Sequence, residues 1–261
     1  SASELLDHYY SCKDKKDRLN SKSSNLLKLI NNNLDRCYKK LNILESILKE
    51  CKKKDNYKIY GELLTANIYN IKQGEEKVSV LNYYSENEEY IDVKLDPNKT
   101  PSQNIQRYFK KYNKLKKSEE SAFIQIKAAK EEIDYLQSVF TSIKNAEDYK
   151  SIDDIKKELM ETGYIKFKKQ GKKKEKLSKP MHFLSSEGLD IYVGKNNIQN
   201  DYLTLKFANN HDIWLHTKEI PGSHVIIKTT KDFSEKTIEE AANLAAYYSK
   251  AKDSSKVAVD Y

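Results

Sequence analysis

INNNLDRCYKKLNILESILKEC, residues 30–51, decides the fold. Its apolar positions Ile30, Leu34, Cys37, Leu41, Leu44, Leu48 and Cys51 follow alternating intervals of four and three. That spacing winds them into one stripe along a helix, the seam of a coiled coil. Between them lie Lys39, Lys40, Glu45, Lys49 and Glu50, as a solvated face requires. One stripe cannot bury itself, so a partner is needed. Residues 108–143 carry it: Tyr108, Tyr112, Leu115, Ala122, Ile126, Ala129, Ile133, Leu136, Phe140 and Ile143 repeat the intervals, with Glu119 the one polar intrusion.

The segment between the stripes sets their relative direction. KVSVLNYY (77–84) and YIDVKL (90–95) read as strands joined by a polar SENEE turn. Ahead of them IYGELLTANIYNIKQG (59–74) reads as a short amphipathic helix stopped by Gly74, and LDPNKTPSQN (95–104) supplies two prolines and an N-cap for the second long helix. A small unit so enclosed brings the chain back antiparallel, with Leu48 expected near Tyr112, Cys37 near Ala122 and Ile30 near Ala129. The competing arrangement, a parallel coiled coil between two chains, would require two separate crossings by the inserted unit. Forty helical residues make an arm roughly 60 Å long.

Further along, NAEDYKSIDDIKKELMETGY (145–164) reads as a helix capped near Ser151 and ending at Gly163. Eight of the fourteen residues from Lys166 to Lys179 are lysine, which marks a linker. After Pro180 the texture changes. HFLSSEGLDIYVGKNN, NDYLTLKFA, DIWLHTK and SHVIIKTT read as successive strands, SEKTIEEAANLAAYYSKA (234–251) as a helix with Thr237 and Glu240 as a capping box, and KVAVDY as the start of another strand. The expected fold class is therefore α+β: a long antiparallel intramolecular coiled-coil arm (1–56 and 104–147) with a small α+β unit (57–103) at its tip. A short helix and Lys-rich linker (148–179) then lead to a separate α+β domain (180–261) that reads as truncated at its C-terminal end.

Composition bounds the function. Only 38% of the 261 residues are apolar against 33% charged, a balance that favours long exposed helices over one compact body. With 47 Lys+Arg against 39 Asp+Glu the net charge is +8, which fits an anionic partner. Three cysteines, Cys12, Cys37 and Cys51, without a CxxC pair point to a reducing compartment. No apolar run nears the ~20 residues that cross a bilayer, and SASELLDHYY does not resemble a signal peptide. The expected location is the cytoplasm, with no membrane partner and a monomeric chain.

Chemistry concentrates in HDIWLHTKEIPGSHVIIKTT (211–230), which holds three of the five histidines and the only tryptophan. His211, His216 and His224 are spaced five and eight apart, which suits no common zinc pattern, and no HExxH occurs. Ser223, His216 and Asp212 have the residue types of a nucleophilic triad but lack a GxSxG elbow. A catalytic role, a metal and a cofactor are accordingly not expected. Trp214, His216 and Lys218 share one strand face by alternation, with Ile213, Leu215 and Thr217 on the other. Rings mixed with cations suit stacking on bases and neutralising phosphates. A second basic cluster, NIQRYFKKYNKLKK (104–117), has six Lys/Arg and no acid; its tyrosines belong to the seam, which leaves Arg107, Lys110, Lys111, Lys114 and Lys117 as an outer face.

GLDIYVGKNNIQNDYLTLKFANNHDIWLHTKEIPGSHVIIK, with its D-x-W-x-H and G-S-H-V elements, resembles the NFACT-R domain. Upstream, GELLTANIYNIKQG, VLNYY, LDPNKTPSQNIQRYFKKYNKLK and EEIDYLQSV resemble the coiled-coil and middle region of the same NFACT family. These are RqcH/NEMF-type ribosome quality control factors, also labelled fibronectin-binding protein A. The resemblance implies an RNA- and ribosome-binding fragment of a factor that binds obstructed large subunits carrying peptidyl-tRNA and promotes alanine tailing of stalled chains. Its implied partners are the large subunit, through rRNA and the stalk-base region, and tRNA. The family's older label implies an alternative, a surface adhesin binding fibronectin. The expected RNA contacts are Lys195, Asn196, Asn197, Trp214, His216, Lys218, Ser223, His224 and Lys228. Arg107, Lys110, Lys111, Lys114 and Lys117 are the expected ribosome contacts.

Overall fold

The computed structural model describes residues 2–85, 89–166, 178–229 and 234–261, with side chains from residue 19 onward. Most of the Lys-rich linker, and part of the SENEE turn, lie outside the described residues. Two compact units emerge, Cys37–Glu131 and the pair of segments Ser1–Arg36 and Glu132–Tyr261. Two long helices, α1 (Ala2–Cys51) and α3 (Pro101–Lys144), contribute to both.

In the Cys37–Glu131 unit the heptad stripe is the buried stripe. Cys37, Leu44 and Cys51 are buried, and Leu41 and Leu48 half-buried, while Lys39, Lys40, Glu45, Lys49 and Glu50 face water. The helices run antiparallel, as the spacing predicts: Leu44 and Ile47 line one groove with Ala122 and Gln125. Their register differs from the expected one by about one heptad, because Leu44 rather than Cys37 stands beside Ala122. A heptad stripe is self-similar, so sliding it by one repeat leaves its hydrophobic pattern intact. The polar intrusion breaks that degeneracy. Glu119 accepts from Lys54 Nζ at 2.8 Å, a salt bridge that ties α3 to the start of α2 in the observed register.

The same unit holds α2 (Lys54–Ala66), a 3-10 turn (Ile68–Asn70) and a hairpin of β1 (Lys77–Leu81) and β2 (Tyr90–Lys94). The hairpin pairs Val80 with Ile91 and Val78 with Val93. Val80 and Val93 join Leu63, Leu64, Ile71, Leu95 and Ile105 in one apolar cluster. Gly61 allows α2 to approach α3 closely: a Cβ there would stand 3.0 Å from the Phe109 ring. Thr100 and Gln103 cap α3 reciprocally, each side chain accepting from the other's backbone N–H. The buried Asn104 amide ties down the preceding turn through Asp96 and Lys99.

In the second unit, α4 (Tyr149–Glu161) buries Ile152, Ile155 and Leu159 at helical spacing. Its cap is Asp148 rather than Ser151: the carboxylate accepts from the Ser151 N–H at 2.6 Å, and Ser151 is itself buried in the first turn. Five strands form an antiparallel sheet in the order β3-β4-β6-β5-β7. They are β3 (Met181–Leu184), β4 (Asp190–Val193), β5 (Ile213–Thr217), β6 (Val225–Ile227) and β7 (Val259–Asp260). Helix α6 (Glu235–Tyr247) covers one face, where small Ala241 and Ala245 meet Ile191, Val193, Leu215, Val225 and Ile227. Its cap is Ser234, not Thr237; Thr237 is buried and donates to Glu187, while Glu240 accepts from the Ser186 N–H.

One expected strand is helical. NDYLTLKFA folds as α5 (Asn197–Tyr202) and a π-helical turn (Leu203–Phe207). As a strand it would put Leu203, Leu205 and Phe207 on one face. Instead Leu203 is fully buried while Leu205 is 76% exposed. The turn is set by its start: Asn196 accepts from the Gln199 N–H, and Gln199 accepts from the Lys195 N–H, both at 3.0 Å.

Candidate nucleic-acid interface

The sheet face opposite α6 carries the chemistry, and its rows follow from register. His182 pairs with Tyr192, Tyr192 with Ile226, and Ile226 with Trp214, one row across four strands. The neighbouring row contains His224 and His216, and His216 pairs with Asp260 on β7. Three rings meet at one end. Trp214 and His216 lie nearly parallel, 23° apart with centroids separated by 5.8 Å. His224 stands edge-on to both, at 5.3 Å from Trp214 and 5.1 Å from His216. At the other end His182 stacks on Tyr192 at 4.8 Å, and Phe207 of the π turn meets Tyr192 edge-on.

Both histidines of the ring cluster, His216 and His224, are held below their ordinary value. Burial pushes the His224 imidazole down to about 4, with His216 adding to the shift and the hydrogen bond involving Asn200 opposing it. Burial lowers His216 as well, against the backbone contact with Gly222. His224 is held firmly: its Nδ1 lies 2.8 Å from Thr204 Oγ1, and its backbone N–H donates to Asn200 Oδ1. Asn200 in turn needs the space that Gly194 leaves, since a Cβ there would fall 2.1 Å from Asn200 Oδ1. Trp214 Nε1 lies inside the protein without an acceptor among the described residues, and packing orients the indole.

The other expected contacts are placed as follows. Lys228 donates to Asp212 at 2.5 Å and to the Phe207 carbonyl. Asp212 also accepts from the N–H groups of Asn209 and Thr229; burial pushes its pKa up, but these bonds outweigh it and hold the carboxyl below its usual range. Lys218 pairs with Asp260 at 3.7 Å, and Lys195 with Asp148 at 3.2 Å. Ser223 is buried and donates to the Gly194 carbonyl. Asn196 is buried as the α5 cap, and Asn197 bridges Glu158 of α4 and Ser138 of α3. Trp214, His216 and His224 are thus brought together, and the remaining residues make hydrogen bonds or ion pairs elsewhere within the chain. His182, Tyr192 and Phe207 belong to the same face and were not among the expected contacts. Alternation in MHFL and DIYV carried a signal for the first two, but only strand order aligns them.

Among the described residues no group of three or more His, Cys, Asp or Glu could hold a metal ion. No helix among them is long and apolar enough to cross a membrane. In the Cys37–Glu131 unit, Arg107, Lys110, Lys111, Lys114 and Lys117 are all exposed along α3. Lys111 lies 4.5 Å over the Tyr57 ring, and Arg107 approaches Asp96 at 3.9 Å.

Flat rings on a sheet face are the kind of surface on which nucleobases can stack. The chain belongs to the NFACT family: residues 1–178 match the NFACT N-terminal and middle domains and residues 179–261 the NFACT protein RNA binding domain. It is 45% identical over 264 aligned residues to the Rqc2 homolog RqcH of Bacillus subtilis (strain 168), covering 100% of this chain and 46% of that protein. It is 41% identical to the Rqc2 homolog RqcH of Streptococcus suis (strain 05ZYH33), covering 100% of this chain and 47% of the relative. The chain therefore spans just under half the length of these curated relatives. Among solved structures it is similar to the C-terminal part of the fibronectin/fibrinogen-binding protein from Streptococcus suis, at 36% identity and a TM-score of 0.71. That match covers 93% of this chain and 83% of the other.

Proposed function

We propose that this chain is the RNA- and ribosome-binding part of a ribosome-associated quality control factor. The whole factor would bind large subunits still obstructed by peptidyl-tRNA, engage tRNA and promote C-terminal alanine tailing of the stalled chain in the cytoplasm. Residues 1–56 and 104–147 serve as the arm, 57–103 as its middle unit and 180–261 as the RNA reader. The observation that carries this reading is the RNA binding domain match over the segment whose sheet face gathers Trp214, His216 and His224. Arg107, Lys110, Lys111, Lys114 and Lys117 are the proposed ribosome contacts, because they are exposed on one helix and a basic helix face suits a polyanion.

Co-sedimentation with purified large subunits tests it. The chain should pellet with the subunits at low salt and be released as salt rises. Retention in the supernatant at low salt would sink the proposal for this part of the factor. The description of the Streptococcus suis structure as a fibronectin/fibrinogen-binding protein supports a second reading, a surface adhesin. Titration over immobilised fibronectin separates the two: saturable binding without subunit binding selects the adhesin.

A further inference from the structure

The face of the sheet opposite α6 carries flat rings, and the lysines on and beside it have aspartate partners. Lys218, Lys228 and Lys195 pair with Asp260, Asp212 and Asp148, and His182 Nε2 lies 2.6 Å from Asp190. Lys206, on the π turn, is exposed. Phosphate recognition needs free positive charge, because affinity comes from releasing the counterions that the phosphates hold. Stacking on a nucleobase needs only a flat, polarisable ring, and every base offers one. Trp214 and His216 present two nearly parallel rings on one strand, with His224 closing one side. The depressed basicity of both histidines keeps these rings uncharged at neutral pH.

We propose that the Trp214–His216 face of the sheet binds the unpaired bases of single-stranded RNA by stacking and leaves the phosphates to cations elsewhere on the chain. This rests on the reading of residues 179–261 as an RNA binder, and adds to it which part of the RNA is read. A duplex presents its bases only at the ends and edges, so paired RNA offers this face little to stack on. Trp214 is the platform. His216 extends it, and His224 positions both by edge-on contact.

The test is fluorescence anisotropy of the whole chain with three labelled probes: a short single-stranded RNA, the same strand made abasic, and a duplex of the same sequence. The single strand should bind roughly tenfold more tightly than either of the others. Trp214→Ala should lose roughly that factor on the single strand alone while the slope of affinity against salt stays the same, and Trp214→Phe should restore most of it. Equal binding of the abasic strand or the duplex overturns the inference, as does a Trp214→Ala variant that changes only the salt slope. Thermal melts check folding; if Trp214→Ala does not fold, His216→Ala and the three-probe comparison on the unaltered chain decide. Co-sedimentation with large subunits separates the levels. A chain that pellets with subunits yet shows no preference for unpaired bases loses this inference and keeps its RNA role. One that neither pellets nor binds any probe loses both.

Discussion

The basic face of α3 in the Cys37–Glu131 unit and the ring-bearing face of the five-stranded sheet both read as basic in the sequence, and they differ in kind. Along α3, Lys110, Lys114 and Lys117 are exposed at helical spacing, and their ammonium groups meet water. On and beside the sheet, Lys195, Lys218 and Lys228 each meet an aspartate. The difference comes from geometry. Lys114 and Lys117 edge the groove between α3 and α1 with their charges in water, whereas around the sheet the fold brings carboxylates from other elements within reach of the lysines. Counting lysines measures charge in a sequence; only the fold says which of it is available to a polyanion.

The contrast should break first at Asp212. Its side chain is 4% exposed and accepts from Lys228, Asn209 and Thr229, so Asp212→Ala strands a half-buried ammonium and two backbone donors. A loss of about 3 kcal/mol is expected in chemical denaturation. Lys114→Ala on the helix face should stay within about 0.5 kcal/mol by the same measurement. A larger loss at Lys114 than at Asp212 would reverse the comparison.

Gly194→Ala comes next. The added methyl would meet Asn200 Oδ1, which holds the His224 backbone, so a loss of about 2 kcal/mol is expected. Ring currents from Trp214 on the His224 protons should shift in the NMR spectrum; an unchanged spectrum would show that the Gly194–Asn200 contact does not position the ring cluster.

Acid sharpens the comparison further. His224 has its ordinary value of 6.5 lowered to about 4, so the unfolded chain binds more protons than the folded one between those limits. Stability should be full above pH 6.5 and fall as the pH drops toward 4, by on the order of 1–2 kcal/mol once partial exposure is allowed for. Asp212, held below 3.8, adds a further loss only below that pH. His224→Gln should flatten the upper part of the profile, measured as the denaturation midpoint against pH. A profile that keeps its full slope would place the titration elsewhere.

The smallest effect on stability should come from changing Lys110, Lys114 and Lys117 together to Ala, within about 0.5 kcal/mol per site. Its effect on binding should be clear: a shallower dependence of large-subunit affinity on salt, by up to about one unit of slope for each phosphate no longer neutralised. An unchanged slope would move the binding surface off this helix.

Much of the fold was legible because burial repeats with a period that sequence displays. Cys37, Leu44, Cys51, Ala122, Ala129 and Leu136 are buried where the heptads put them. Val80 and Val93 alternate as strand residues should. What escaped was information held in pairs. Arm register depends on Lys54 finding Glu119, 65 positions away. NDYLTLKFA alternates well enough for a strand, yet the Asn196–Gln199 cap and the burial of Leu203 make it helical. At the site, Trp214 and His216 were legible as same-face neighbours because they sit two apart on one strand. His182 and Tyr192 were not, since their row exists only once β4 and β6 lie side by side.

By itself the sequence determined the α+β class, the two stripes that pair, the antiparallel return of the chain and the concentration of rings in residues 211–230. Each of these rests on periodicity or on neighbours close along the chain, which local geometry converts directly into a face. Only the tertiary structure decided the heptad register, the helical turn at 197–207, and which cations remain free. Those depend on partners far apart in sequence, and a salt bridge or a strand order has no energy until folding brings its members together.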